Sequence, residues 1–180
     1  MKYFLRAGIV IVVLIIAFLA YIYSGIYNVS ALVPHNKLTL WIMNTVGDNS
    51  IKHHANDDIK TPDLSDSSLV KMGFVHFREM CVGCHGGPGI EQSEIAKGLY
   101  PSPPMLSKTA KEWTPQQLFW ITKNGLKMTG MPAFGPTHTD DMIWAIVAFT
   151  KQLPTMTKEQ YQKFDNETKG ESDEANEHAH

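Results

Sequence analysis

Two cysteines and a histidine fall within five residues, as Cys81-Val82-Gly83-Cys84-His85. This C-x-x-C-H spacing is typical of a covalent c-type haem attachment. Two thiols one helical turn apart reach the two vinyl groups of a haem and form thioethers, and the adjacent imidazole of His85 then faces the iron. The motif occurs once, so it predicts one covalently attached haem c with His85 as an iron ligand.

Other uses of a C-x-x-C pair find less support in this sequence. A structural zinc site needs four ligands, and the chain has no second C-x-x-C or H-x-x-x-H pair. A thioredoxin-like redox pair is expected beside a βαβ pattern, which the flanking sequence lacks. A structural disulfide would leave the histidine directly after the second cysteine unexplained.

An iron held by one histidine has a sixth position, and its occupant separates an electron carrier from a catalytic haem. A methionine thioether raises the reduction potential and closes this position to oxygen and peroxide. Met131 stands between Gly130 and Pro132, which predicts a rigid loop that presents the side chain. Met128 is the second candidate, whereas Met142 has the apolar spacing of a helix residue.

Further motifs flank these candidates in order along the chain. Gly73 and Phe77 precede the cysteines, the proline loop 103–106 follows them, and Met131-Pro132-Ala133-Phe134 comes last. With this arrangement, residues 66–155 resemble a class I monohaem c-type cytochrome domain. The resemblance implies an all-α fold of the class I cytochrome c type around one covalent haem, preceded here by an N-terminal transmembrane helix.

The resemblance also implies particular contacts around the haem. The carbonyl oxygen of Pro104 would accept a hydrogen bond from Nδ1 of His85, which would fix the tautomer and orientation of the ring. Trp144 would be the aromatic residue of the C-terminal helix that packs against Gly73 and Phe77. The predicted binding set is Cys81, Cys84, His85, Met131 and Pro104, of which His85 and Met131 are the iron ligands.

Apolar spacing and capping residues predict the helices of this domain. Apolar residues at intervals of three and four predict a helix from Ser67 to Arg78. Thr114 with a following proline begins a second helix that ends at Asn124-Gly125. Thr139 and two aspartates begin a third, which ends at Leu153-Pro154.

The first 27 residues predict a cytoplasmic N-terminus followed by a single membrane span. From Ala7 to Tyr23 the chain carries no charge, and a spanning helix needs about 20 apolar residues. Lys2 and Arg6 favour a cytoplasmic N-terminus, which puts the haem domain in the periplasm at a bacterial inner membrane. A cleaved signal peptide is the alternative, but each possible cleavage point has a large residue three positions earlier.

The segments on either side of the haem domain carry less information. Residues 28–65 are interpreted as a linker between the membrane and the haem domain, and if this linker is ordered we expect contact with another protein to order it. Residues 156–180 predict an acidic, disordered tail. The pairs His53-His54 and His178/His180 are candidates for weak metal binding, although solvated side chains are the stronger expectation.

These observations predict an electron-transfer protein without a catalytic site of its own. The net charge of −2 argues against nucleic-acid binding through a basic surface. The expected partners are the membrane and redox proteins that donate and accept the electron, with the chain as a carrier or a subunit of a larger respiratory or dehydrogenase complex. A haem peroxidase or nitrite-reducing enzyme would need an open sixth position, and a sensor or metal-delivery protein would need further domains or ligands.

Overall fold

The computed structural model describes residues 2–55 and 58–169. The chain divides into two compact units, one ending at Pro34 and the other beginning at His35. The first unit contains α1 (Lys2–Tyr23), which has no buried residue. By length and composition α1 is able to cross a membrane, a test that a signal sequence near the N-terminus also passes.

The second unit is built of helices, as predicted. A π-helical segment, Phe77–Cys81, joins the third helix to the fourth, and 3-10 turns follow the sixth and eighth helices at Ala110–Glu112 and Leu153–Thr155. No β-strand forms in the described parts of the chain. The helices are α2 (Lys37–His54), α3 (Ser67–His76), α4 (Val82–His85), α5 (Glu94–Lys97), α6 (Leu106–Thr109), α7 (Pro115–Asn124), α8 (Asp140–Gln152) and α9 (Lys158–Glu167).

The predicted helix ends are confirmed in α7 and α8. The Thr114 hydroxyl accepts a hydrogen bond from the Gln117 backbone, and the Gln117 side chain accepts one from the Thr114 backbone, which forms a capping box. Gly125 ends α7 with a φ of 65°, a conformation that favours glycine. Thr139 caps α8 through its hydroxyl.

The core forms where α3 crosses α8. A Cβ atom built on Gly73 would overlap the backbone carbonyl of Ala145, so the absence of a side chain allows the two helices to touch. Phe74, Phe77 and Phe149 are fully buried around this crossing. The ring of Phe149 lies 5.2 Å from the ring centres of both Phe74 and Phe77.

Trp144 lies on a different face of α8 from the one implied by the resemblance. Its ring stacks on Phe119 of α7 with 4.4 Å between ring centres. The expectation that Trp144 packs against Gly73 and Phe77 is therefore wrong. Successive helix residues point about 100° apart, so Ala145 and the residue one turn later face α3 while Trp144 faces α7.

Helix α9 extends the folded unit beyond residue 155. Tyr161 is 2% exposed, and the ring of Phe164 stacks on Phe74 at 5.5 Å between centres. The predicted disorder is therefore wrong for α9. Its two aromatic residues, Tyr161 and Phe164, pack on the apolar cluster that contains Phe74 and Phe149. Residues 170–180, which include the two candidate tail histidines, lie outside the described residues.

Helix α2 lies within the predicted linker and packs on α7. Ile51 is buried, and the ring of His54 stacks on Trp120 with 5.6 Å between ring centres. The backbone N–H of His35 also donates to the Tyr100 hydroxyl at 3.0 Å. These contacts are made with the chain's own helical unit, and contact of this segment with another protein stays a prediction.

Candidate haem-binding site

The two cysteines lie where the π-helical segment meets α4. Cys81 is the last residue of the π-helical segment, and α4 ends at His85, where Gly86 takes a φ of 64°. Cys81 is buried, Cys84 is half-buried, and neither forms a disulfide. The Cys81 side chain is buried in an apolar cluster, surroundings that suit a neutral thioether, and this burial raises the pKa of its thiol to about 12.

His85 is held in one orientation by the proline loop. Its Nδ1–H donates to the Pro104 carbonyl oxygen at 2.8 Å, so the predicted hydrogen bond is present. This bond leaves Nε2 as the nitrogen available to a metal. Burial lowers the pKa of His85, and the bond to Pro104 partly opposes this effect. The lowered pKa favours the neutral imidazole, which is the form that binds iron.

Gln92 connects the haem motif to the proline loop. Its side-chain amide donates to the carbonyl oxygens of Cys84 and Pro103, each at 2.8 Å. The backbone N–H of Ser93 adds a bond to the carbonyl of Gly83 at 2.9 Å. Sequence analysis missed Gln92, because a single glutamine in a loop carries no spacing that marks it as a link between two segments.

The loop between α7 and α8 holds the backbone of Met131. Leu126 N donates to Met131 O at 3.2 Å, and Met131 N donates to the Thr129 hydroxyl at 3.1 Å. Phe134 N also donates to the carbonyl of Thr122 in α7 at 3.1 Å. These bonds make the rigid loop that the sequence predicts, while the role of Met131 as an iron ligand stays a prediction.

The two candidate methionines of this loop differ in exposure. Met131 is half-buried. The Met128 residue is 76% exposed and has a φ of 60°, which is unusual for a residue with a side chain. This difference favours Met131 over Met128 as the thioether that faces the interior.

A second histidine and methionine, His138 and Met80, lie near each other, an arrangement compatible with His/Met ligation. The ring of His138 also contacts the rings of His76 and Phe134, with centres 5.6 and 5.3 Å apart. Its Nδ1 lies 2.9 Å from the Thr137 hydroxyl. Sequence analysis gave neither residue a role, because their separation of 58 positions forms no motif.

The residues present fit a covalently bound haem. Two unpaired thiols and an imidazole with a free Nε2 come from one short segment, and the part of the chain described here contains no group of three His, Cys, Asp or Glu side chains that could hold a metal ion directly. A haem needs fewer ligands from the protein, because the porphyrin supplies four. Among the described residues, no third metal-binding side chain lies with His53 and His54, and the ring of His54 stacks on Trp120.

Residues 68–149 match the family model described as cytochrome C oxidase, cbb3-type, subunit III. The match covers a little less than half of the chain and includes both cysteines, His85, Pro104 and Met131. No curated protein and no solved structure gives a significant match. With the helical fold and the haem motif, this match identifies residues 68–149 as a cytochrome c domain.

A cytochrome c domain implies covalent haem c, redox partners and a location outside the cytoplasm. The N-terminal apolar helix precedes this domain in the same chain. Residues 68–149 are thus a cytochrome c domain, a kind of domain that typically transfers electrons.

Alanine at both Cys81 and Cys84 should abolish covalent haem attachment, since no other cysteine is present. Either single substitution should weaken attachment by removing one of two thioethers. Haem staining after denaturing electrophoresis measures the covalent fraction, and His53→Ala, at an exposed position on α2, is the matched control. Normal staining in both single variants would contradict the assignment of two thioethers.

Proposed function

We propose that this protein is a membrane-anchored periplasmic monohaem cytochrome c with a His/Met-ligated iron. It accepts an electron from one redox protein and passes it to another. The observation that carries the proposal is the orientation of His85, whose Nδ1–H is bonded to Pro104 O while the two free thiols lie one and four residues before it. This arrangement suits a permanently attached haem.

Each residue of the proposed site has a distinct task. Bound haem c supplies a reversible one-electron change at its iron. Cys81 and Cys84 would hold the haem covalently, and His85 and Met131 would be the protein ligands of its iron. Met131, carried by its hydrogen-bonded loop, would exclude external ligands. No bond of a substrate is broken in this scheme, so the protein acts as an electron carrier and not as an enzyme.

The proposed topology is one span of a bacterial inner membrane by α1. Lys2 and Arg6 lie at one end of α1, and basic residues favour the cytoplasmic side of a span. The helix exposes apolar side chains along its whole length, and such a surface is stable in the hydrocarbon core of a membrane and unstable in water. The haem domain then faces the periplasm, where redox partners are available.

Two observations support the proposal that the protein belongs to a larger respiratory or dehydrogenase complex. The matching family is described by its place as a subunit of an oxidase. Helix α2 leaves apolar side chains exposed, with Leu38 and Trp41 at 64% and Val46 at 61%. Exposed apolar surface of this kind is typical of a protein or membrane interaction site.

The optical spectrum of the purified full-length protein tests the proposal. A low-spin c-type spectrum with a methionine-to-iron band in the oxidised form is expected, together with slow or absent binding of carbon monoxide after reduction. Rapid carbon monoxide binding would favour an open, catalytic haem instead. A colourless protein would overturn the proposal.

Replacing residues 1–27 by a cleavable signal peptide should release the haem domain into the soluble periplasmic fraction. The reason is that α1 holds the span-length apolar surface of the described chain. Fractionation followed by haem staining measures the distribution, with the full-length chain as the control. Retention in the membrane fraction would contradict anchoring by α1 and indicate that α2 or a partner holds the domain there.

A further inference from the structure

Two histidines that the proposed function leaves unused lie close together. His76 is the last residue of α3, and His138 lies just before α8. Their ring centres are 5.6 Å apart, and both residues are half-buried. An imidazole nitrogen binds a metal ion such as zinc at about 2.0–2.1 Å, with the ring centre roughly 1.2 Å farther away. Two rings that share one ion at roughly 110–120° therefore have centres about 5.2–5.7 Å apart, a range that includes the observed distance.

The surroundings of both rings suit metal binding. Nδ1 of His138 lies 2.9 Å from the Thr137 hydroxyl, and an engaged Nδ1 makes Nε2 the nitrogen available to a metal. The ring of His138 also packs edge-on against Phe134, with centres 5.3 Å apart. Burial and then the charge of His138 lower the pKa of His76, while Glu79 opposes this effect. The lowered pKa favours the neutral imidazole, which is the form that binds metals.

A methionine thioether is the third donor at this place. Met80 belongs to the π-helical segment that follows α3 and is half-buried. It lies near His138, and it comes four positions after His76, a spacing that puts two helical side chains on one face. Zinc in proteins is bound by cysteine, histidine and carboxylate side chains, and methionine is not among these ligands. Imidazole together with a soft thioether favours copper in its monovalent form.

We propose that His76, His138 and Met80 form a binding site for one Cu(I) ion, with two imidazole nitrogens and one thioether sulfur as ligands. The ion would connect the end of α3 to the end of the loop between α7 and α8. No redox step is involved, because copper binds and leaves as Cu(I). None of the three residues is a proposed iron ligand, so failure of this site would leave the proposed electron transfer intact.

Equilibrium dialysis of the full-length haem-loaded protein tests the site. The protein is dialysed against Cu(I) held by a soluble chelator, under anaerobic reducing conditions, and elemental analysis then gives the copper bound per iron. The wild-type protein should take up copper. Removing one ligand should weaken uptake by about tenfold or more, since loss of an outer-shell partner alone costs about 10–100-fold in metal affinity. The three variants are His76→Asn, His138→Asn and Met80→Leu.

Substitutions of other histidines are the matched controls. His53→Ala changes an exposed residue of α2, and a double variant, His178→Ala with His180→Ala, removes two imidazoles near the C-terminus. Both control proteins should bind Cu(I) as tightly as the parent. Absence of copper uptake by the wild-type protein would overturn the proposal. Weakening by either control equal to that of His138→Asn would also overturn it, because copper would then be bound elsewhere.

X-ray absorption at the copper edge tests the ligand set without any variant. The wild-type protein loaded with Cu(I) should show a shell of imidazole nitrogens together with a sulfur neighbour. A shell of nitrogen or oxygen alone would overturn the assignment of Met80. The optical spectrum of the haem should be the same before and after copper loading, since the proposed iron ligands His85 and Met131 are not used. Displacement of the methionine-to-iron band by copper would overturn the proposal that the two sites are separate.

Discussion

Replacing Met131 by leucine should lower the reduction potential by on the order of 0.2 V, a fraction of the roughly 0.8 V range that axial ligands span. The thioether favours the reduced iron, and leucine of similar volume has no donor atom. The same variant should bind carbon monoxide rapidly after reduction, because the sixth position loses its ligand. Redox titration and the optical spectrum measure both effects.

Two further methionines are matched controls for this prediction. Met128→Leu changes an exposed residue of the same loop, and Met80→Leu changes the methionine that lies near His138. Both variants should keep the methionine-to-iron band and the potential of the parent protein. If either one loses the band while Met131→Leu keeps it, the ligand assignment passes to that residue.

Replacing Gly73 by alanine should destabilise the haem domain by about 3 kcal/mol, at the upper end of the range for overpacked cores. The new Cβ atom would overlap the carbonyl of Ala145, which is backbone and is held by α8, so α3 and α8 must move apart. Fully buried Phe74, Phe77 and Phe149 would then lose contacts at the crossing. Denaturant unfolding of the haem-loaded protein measures the loss.

Gly47→Ala provides the matched control in α2. A Cβ atom there meets nothing within 4 Å, so the substitution should stabilise the helix by about 0.5–1 kcal/mol through its higher helix propensity. Equal stability of the Gly73→Ala variant and the parent protein would show that the close helix crossing is not required. A loss of stability in both variants would show that alanine destabilises the protein even where the new Cβ atom has space.

The chemistry of this protein is determined by short stretches of its sequence. The haem motif lies within five residues, and the span-length apolar segment and the helix caps at Thr114 and Thr139 are equally local. Each depends on interactions between residues close in the chain, so spacing alone predicts it. The hydrogen bond from His85 to Pro104 could be predicted only from the family resemblance, because 19 residues separate the two partners in the chain.

Contacts between helices that lie far apart in the sequence depend on the tertiary structure. Composition alone predicted disorder around Tyr161, since two aromatic residues among acids carry no sign of the apolar cluster they cover. Likewise, Trp144 and Ala145 are both apolar neighbours on α8, and the rotation of α8 about its own axis determines that Ala145 faces Gly73 while Trp144 faces Phe119. Such pairings depend on how rigid helices fit together in three dimensions, whereas capping and haem attachment depend on neighbours along the chain.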